Sequence, residues 1–498
     1  MNTIQVKKNT KRNVAIGIIN KVVMLILPFV LRTVLVSRIG VEYLGLNSLF
    51  SSILQVLSLS ELGLGSAMVY HMYKPIAEDD QRTLNALLKI YKKSYRIIGC
   101  ITIMIGLIIL PFLPKLIKGD YPSDISIHML FLIYIINTSI SYFLFGYKQS
   151  ILAAYQREDV NSIINLVVQS GLIAVQIILL IFTGDYLLYT ICLPVFTIIN
   201  NLWIGMITSK MYPDAKAEGD IEADTLKEIK QMIAGTFIQK ACTVTRNSLD
   251  SICISAFLGL AVTAVYNNYY IIIIGLNSLM VVVETSLQGG IGNHVVIKSS
   301  EENFNELKNL DFIYMVISGV CTVCLLCLYQ PFMELWMGEN LMLSFGAVIL
   351  MCIYFYVRKM GDMKYLYNNA RGLWWKLRWR SIVETILNVV LNVILGKLLG
   401  VHGIILATII SIVMCSYIWG GTILFEDYFG ISNIFKYFAY HIRYLLVTSI
   451  IAAIVYMTST MVDNFLIKLP LVLIETVIIY YLVYFKTSIY KEAIKMIK

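Results

Sequence analysis

Seven ionisable residues stand in, or at the ends of, stretches long and apolar enough to lie in hydrocarbon. Lys21 and Arg32 share one stretch, Lys240, Arg246 and Asp250 share a second, and Glu61 and Glu284 lie near the ends of two more. A lysine or arginine at the bilayer centre costs roughly 2.5–3.5 kcal/mol on insertion scales, so four facing lipid would cost about 10 kcal/mol or more. They should face protein or water instead. Lys21 and Arg32 are eleven residues apart; that is about 1100° of helical rotation, about 20° from eclipsed. Gly17, Met24 and Pro28 share their face, and Pro28 removes a backbone hydrogen bond where a bend beside a cavity would be tolerated. In the second stretch Thr236, Lys240, Thr243, Asn247 and Asp250 form one polar stripe, with Gln239 and Arg246 at its edge. Arg246 and Asp250, four apart, can pair.

A cavity presenting Lys21, Arg32, Lys240 and Arg246 suits an anion such as a phosphate or pyrophosphate. Asn20, Gln239, Thr243 and Asn247 would supply neutral polar lining, and Asp250, Glu61 or Glu284 could couple transport to a cation. Structural readings stand beside these. Lys21 lies only about seven residues into its span and can snorkel to the surface. Arg246–Asp250 can be a purely structural ion pair, and Glu61 and Glu284 can be interfacial. Glu384 and Glu475 lie in further spans, the latter alone and read as structural.

The elements that must position these residues follow from composition. The 498-residue chain is 58% hydrophobic and 14% charged, with mean hydropathy +0.75. Soluble domains carry about 25% charged residues, and this chain has too little polar surface to cover a core in water. Apolar stretches of spanning length recur at 14–37, 44–70, 95–114, 128–147, 161–182, 187–208, 232–257, 264–285, 311–332, 341–359, 381–399, 402–424, 442–461 and 468–486. An all-α polytopic membrane protein of about fourteen transmembrane helices is expected. With loops alternating sides, 31 of the 40 Lys and Arg residues fall at the termini or on their side, and five on the other. That bias puts both termini in the cytoplasm. Lys7, Lys8, Lys11 and Arg12 precede the first span without a cleavage site, so no signal peptide is expected.

The remaining signals are weaker. All nine cysteines lie in apolar segments. Cys321, Cys324 and Cys327 have metal-like spacing but sit inside a span with no fourth ligand nearby, so small packing residues are expected and no metal. No glycine-rich nucleotide loop appears, no cofactor is implied and no catalytic residue is assigned. Residues 83–98 read as an interfacial helix, and the tryptophan- and arginine-rich segment 371–380 as an aromatic belt with anionic-lipid contacts rather than a nucleic-acid site.

The two halves of the chain can be superposed in sequence. Asn20-Lys21 is followed by Ile39-Gly40, and Gln239-Lys240 by Leu258-Gly259, each glycine nineteen positions after its lysine. Glu61 and Glu284 follow in turn, each ahead of a glycine cluster. Parallel repeats of six spans are expected: a bundle at 1–208, a cytoplasmic linker at 209–231, a second bundle at 232–425, and two extra spans with a tail at 426–498.

With these residues identified, the chain resembles the Wzx-type polysaccharide flippases of the multidrug/oligosaccharidyl-lipid/polysaccharide exporter superfamily. The likeness rests on Arg38-Ile-Gly-Val-Glu-Tyr-Leu-Gly-Leu-Asn-Ser-Leu-Phe50, Ser58-Leu-Ser-Glu-Leu-Gly-Leu-Gly65, Tyr73-Lys-Pro-Ile-Ala77, and Arg246-Asn-Ser-Leu-Asp250 followed by Phe257-Leu-Gly-Leu260. It implies export of undecaprenyl-pyrophosphate-linked oligosaccharide units across a bacterial inner membrane, for capsule, O-antigen or exopolysaccharide, by alternating access around a cationic central cavity. The implied partners are that lipid-linked oligosaccharide, membrane lipids, and a polysaccharide polymerase or other assembly proteins. A lipid II-type flippase and a multidrug exporter are alternatives in the same superfamily; an embedded polymerase or glycosyltransferase is the alternative of another class.

Overall fold

The computed structural model describes the backbone of residues 3–58, 64–119, 121–221 and 223–497. Among them there is no strand. Their contacts group the chain into two compact units, Met1–Ala264 and Val265–Lys498.

The first unit holds α1 (Thr3–Ile39), α2 (Val41–Leu57), α3 (Leu64–Ala77), α4 (Gln81–Ile109), α5 (Ile127–Phe143), α6 (Gln149–Ala154), α7 (Glu158–Phe182), α8 (Tyr186–Met211) and α9 (Ala223–Leu258). α10 (Leu260–Ile297) begins in it. The second unit continues with α11 (Ser300–Met337), α12 (Phe345–Lys359), α13 (Asp362–Ala370), α14 (Arg378–Leu399), α15 (Val401–Ser411), α16 (Gly420–Leu424), α17 (Ile434–Ser459), α18 (Phe465–Tyr484) and α19 (Ser488–Ile497). π-helical turns at Ile412–Trp419 and Phe425–Phe429 flank α16.

Each expected span coincides with a helix or a helix pair. Ten described segments are long and apolar enough to cross a membrane, and a pair bent by 51° (Ile127–Phe143 with Gly146–Ala154) makes an eleventh. The other three spans correspond to the α2–α3 pair, the polar α9 and the short α12. The helices start where the sequence supplies oxygen acceptors. Ser126, Asp185 and Ser344 accept from backbone amides of α5, α8 and α12, and Ser299 with Glu302 forms a capping box on α11. The outer faces are apolar and exposed, as on α18 at Leu473, Ile474, Val477 and Ile478, which suits lipid rather than water.

Inside the first unit α9 packs against α2. Gly45 of α2 admits the start of α10: a Cβ there would lie 2.3 Å from the Leu260 carbonyl oxygen. The Ser248 hydroxyl donates to Gln55 Oε1 at 3.1 Å, and Ser255 donates to the Leu116 carbonyl at 2.8 Å. The stretch read as an interfacial helix is the first half of α4, and its apolar face meets protein instead. Leu84, Leu87, Leu88, Tyr91 and Tyr95 pack with Leu64, Met68 and Met72 of α3 and Ile151 of α6. The 212–221 connection is docked rather than free: Gln81 donates to the Asp214 carbonyl, Asn85 accepts from the Lys216 amide, and Lys89 pairs with Asp220.

In the second unit α11 is the centre, with α12, α17, α18 and α19 around it. Gly319 lets α18 approach; a Cβ there would lie 1.9 Å from the Tyr480 hydroxyl, which is itself 2.7 Å from Thr448 Oγ1 on α17.

Candidate functional site

Six of the seven singled-out ionisable residues can be located; Glu61 lies outside the described residues. Lys21 and Arg32 stand on α1, Lys240, Arg246 and Asp250 on α9, all five in the first unit. α1 packs on α7 and α2, and α9 packs on α2 and α3, so both cation-bearing helices flank α2. Lys21 and Lys240 are exposed, Arg32 and Arg246 half-buried, and Asp250 is buried at 5% exposure. Asn20, Thr243 and Asn247 fall on the same two helices, with Asn20 and Asn247 half-buried and Thr243 exposed. Gln239 lies on α9, its side chain outside the described ones.

The same unit carries an open cleft of about 490 Å³, which the sequence did not reveal. Asn47, Ser51, Leu54, Gln55 and Ser58 line it from α2 and its end, Tyr134, Asn137 and Thr138 from α5, Leu193 from α8, and Val244 from α9. Among the described residues, the lining carries no carboxylate, lysine, arginine or histidine. Protein groups take the amide oxygens: Thr197 donates to Asn137 Oδ1 at 2.6 Å, Ser248 to Gln55 Oε1 at 3.1 Å, and Ser51 to Asn47 Oδ1 at 3.3 Å. Among the described residues the amide nitrogens of Asn137 and Gln55 meet no acceptor, which leaves them as donors for a guest rich in acceptor oxygens. Asn47 instead donates to the Tyr189 hydroxyl at 3.1 Å, and Tyr189 lies in the electrostatic field of Arg32. Arg32 on α1, Tyr189 on α8 and Asn47 on α2 thus link a cation to the rim of an uncharged cavity whose apolar wall carries a few amides and hydroxyls. The only sequence signal for it is Asn47-x-x-x-Ser51-x-x-x-Gln55, an i, i+4 polar row within an apolar helix.

Glu284 belongs to the second unit and meets different partners. Its Oε1 lies 2.6 Å from the Tyr314 hydroxyl oxygen and 3.7 Å from Lys359 Nζ. Lys359, at 3% exposure, donates to Asp362 at 2.6 Å. Lys364 is also buried and donates to the Ser416 and Tyr417 carbonyls of the π-turn at 2.9 and 3.0 Å. Burial, reinforced by the Arg380 guanidinium, pushes its ammonium down to about 7. Sequence reasoning counted both lysines as loop charge, because each follows a span and precedes a basic run. Glu384 is satisfied by Arg380 at 2.9 Å, and Glu475 accepts from Thr458 at 2.7 Å.

The 371–380 segment is tied down in part by protein. Arg371 and Lys376 pair with Asp427, and the Arg378 guanidinium lies 4.0 Å over the Trp375 ring. Trp375 and Trp379 stay exposed. Cys321 and Cys324 are half-buried and Cys327 buried along α11, and among the described residues no group of His, Cys, Asp or Glu is arranged to hold a metal.

The architecture is shared with solved transporters of the MOP superfamily. The lipid II flippase MurJ in an inward closed conformation matches with a TM-score of 0.68 at 16% identity, over 95% of this chain and 98% of that one. An inward-facing multidrug resistance MATE family transporter matches with a TM-score of 0.63 at 15% identity, over 83% and 96% of the two chains. A MOP superfamily transporter from Pyrococcus furiosus gives 0.55 at 15% identity, over 86% and 96%. No protein-family model and no curated protein matches the chain. The chain is a multi-pass, all-α membrane protein with the MOP transporter fold.

Proposed function

We propose that this chain is a flippase that moves undecaprenyl-pyrophosphate-linked oligosaccharide units across the bacterial inner membrane for surface polysaccharide assembly, by alternating access. The observation that carries this reading is the position of the four cations Lys21, Arg32, Lys240 and Arg246 on two helices that flank α2 in one unit, the unit that also holds an uncharged cavity with a few amides and hydroxyls on an apolar wall. Cations attract the pyrophosphate; amide donors from Asn137 and Gln55 suit sugar hydroxyls and ring oxygens; the polyprenyl tail stays in lipid. Asn20, Gln239, Thr243 and Asn247, on the same two helices as the cations, are the proposed neutral polar contacts for the cargo, and Asp250, Glu61 and Glu284 are the candidates for ion coupling. The fold shared with a lipid II flippase supports a lipid-linked pyrophosphate as the cargo, and a lipid II-type substrate is the second reading that this likeness favours. A multidrug exporter of organic cations fits less well, since four cations repel such cargo.

The test is to delete the gene and locate accumulated lipid-linked oligosaccharide with a membrane-impermeant sugar probe on right-side-out vesicles. Accumulation confined to the cytoplasmic leaflet supports the flippase. Accumulation in the outer leaflet would point to a polymerase or ligase step, and none at all to drug export.

A further inference from the structure

The Tyr314 hydroxyl in the second unit stands 2.6 Å from Glu284 Oε1 and 2.7 Å from Asp362 Oδ2. A phenol has one hydrogen and can donate to one acceptor at a time. Two ionised carboxylates cannot both be satisfied by it, and the oxygen left over would face a lone pair at hydrogen-bond distance. Within the hydrogen-bonded group itself, the two carboxylates share a single lysine, and only one of them lies at hydrogen-bond distance from it. We infer that Glu284, Tyr314, Asp362 and Lys359 form a proton-binding site that holds one exchangeable proton, carried by Glu284.

The assignment to Glu284 follows from the lysine. Lys359 Nζ is 2.6 Å from Asp362 and 3.7 Å from Glu284, so the ammonium pairs with Asp362 and the proton is assigned to Glu284. The chain then runs from the Glu284 carboxyl, which donates to the Tyr314 oxygen, through the Tyr314 hydroxyl, which donates to Asp362. Release breaks the Glu284 O–H bond and forms one on water, leaving the electron pair on the carboxylate. Lys359 stands between the two carboxylates and is able to redistribute toward the new charge. The exit is open, since Glu284 and Asp362 keep 19% and 22% of their side chains exposed while Lys359 keeps 3%.

Other charged and titratable groups bear on the site from each neighbouring element. They are Asp311 and Cys321 on α11, Arg358 on α12, Lys364 and Tyr365 on α13, Arg380 on α14 and Tyr437 on α17. Arg358 feels the Asp362 charge directly. Tyr365 feels both carboxylates and Arg380.

On the transporter reading above, uptake and release of this proton couples ion movement to export. That consequence rests on the reading; the bound proton does not.

The experiment is pH-difference infrared spectroscopy on the purified full-length protein in lipid vesicles, following the carbonyl stretch of protonated carboxyl groups. A protonated-carboxyl band present at neutral pH should titrate away on alkalinisation, disappear in Glu284→Gln, and move in frequency in Tyr314→Phe, where the bridging hydroxyl is gone. Tyr314→Phe also serves as the readout should Glu284→Gln fail to fold. A band that survives Glu284→Gln, disappears in Asp362→Asn instead, or is unmoved in Tyr314→Phe overturns the assignment. No substrate enters this measurement, so its failure is separate from failure of the export reading, which the leaflet assay decides.

Discussion

Lys364 is a buried lysine outside the spans, and its environment makes a pH prediction. Its folded pKa is depressed to about 7, while an unfolded lysine titrates near 10.4. Between those values the unfolded chain binds one more proton than the folded one, so this group makes stability rise with pH across that window; the contribution is lost as pH falls through the folded value. Thermal unfolding in detergent should show Lys364→Met flattening the gain between about pH 7 and pH 9, and an unchanged slope would contradict the assignment. At the cavity, Asn137→Ala or Gln55→Ala should lower apparent affinity for the lipid-linked sugar several-fold in a vesicle transport assay while leaving the protein folded, because each removes an amide donor. The charges within α1 and α9 stood out in the sequence because charge inside an apolar run has few alternatives. Lys359 and Lys364 were not, because a lysine just past a span reads the same whether solvated or folded back against protein. A hint was present in Met363, Leu366 and Tyr367, whose i, i+3, i+4 spacing predicts a buried face for α13; all three are buried.

At the scale of elements, close helix approach depends on glycine. Gly319→Ala should destabilise the second unit by about 1–3 kcal/mol, the usual cost of overpacking. The added methyl meets the Tyr480 hydroxyl, so Gly319→Ala combined with Tyr480→Phe should recover part of the loss, and melting temperatures of the single and double variants measure both. A double variant no more stable than Gly319→Ala alone would place the strain elsewhere. Hydropathy revealed the spans because lipid exposure demands continuous apolar sequence. It did not separate α2 from α3, nor show that the 83–98 face is covered by protein: an apolar face has the same pattern whether it meets lipid or another helix.

For the whole molecule, the distribution of basic residues predicts sidedness. In a background with the nine native cysteines replaced, a cysteine introduced at Lys216 should react with an impermeant thiol reagent only from the cytoplasm, and one at Lys118 only from outside. The reverse pattern would invert the orientation. The central claim is that Lys21, Arg32, Lys240 and Arg246 hold an anionic lipid-linked cargo. Its most direct measurement is the leaflet distribution of lipid-linked oligosaccharide in a deletion strain complemented by Lys21→Ala with Lys240→Ala, expressed at wild-type level. Accumulation in the cytoplasmic leaflet, approaching that of the deletion, is the predicted result; export at the wild-type rate would contradict the cationic site.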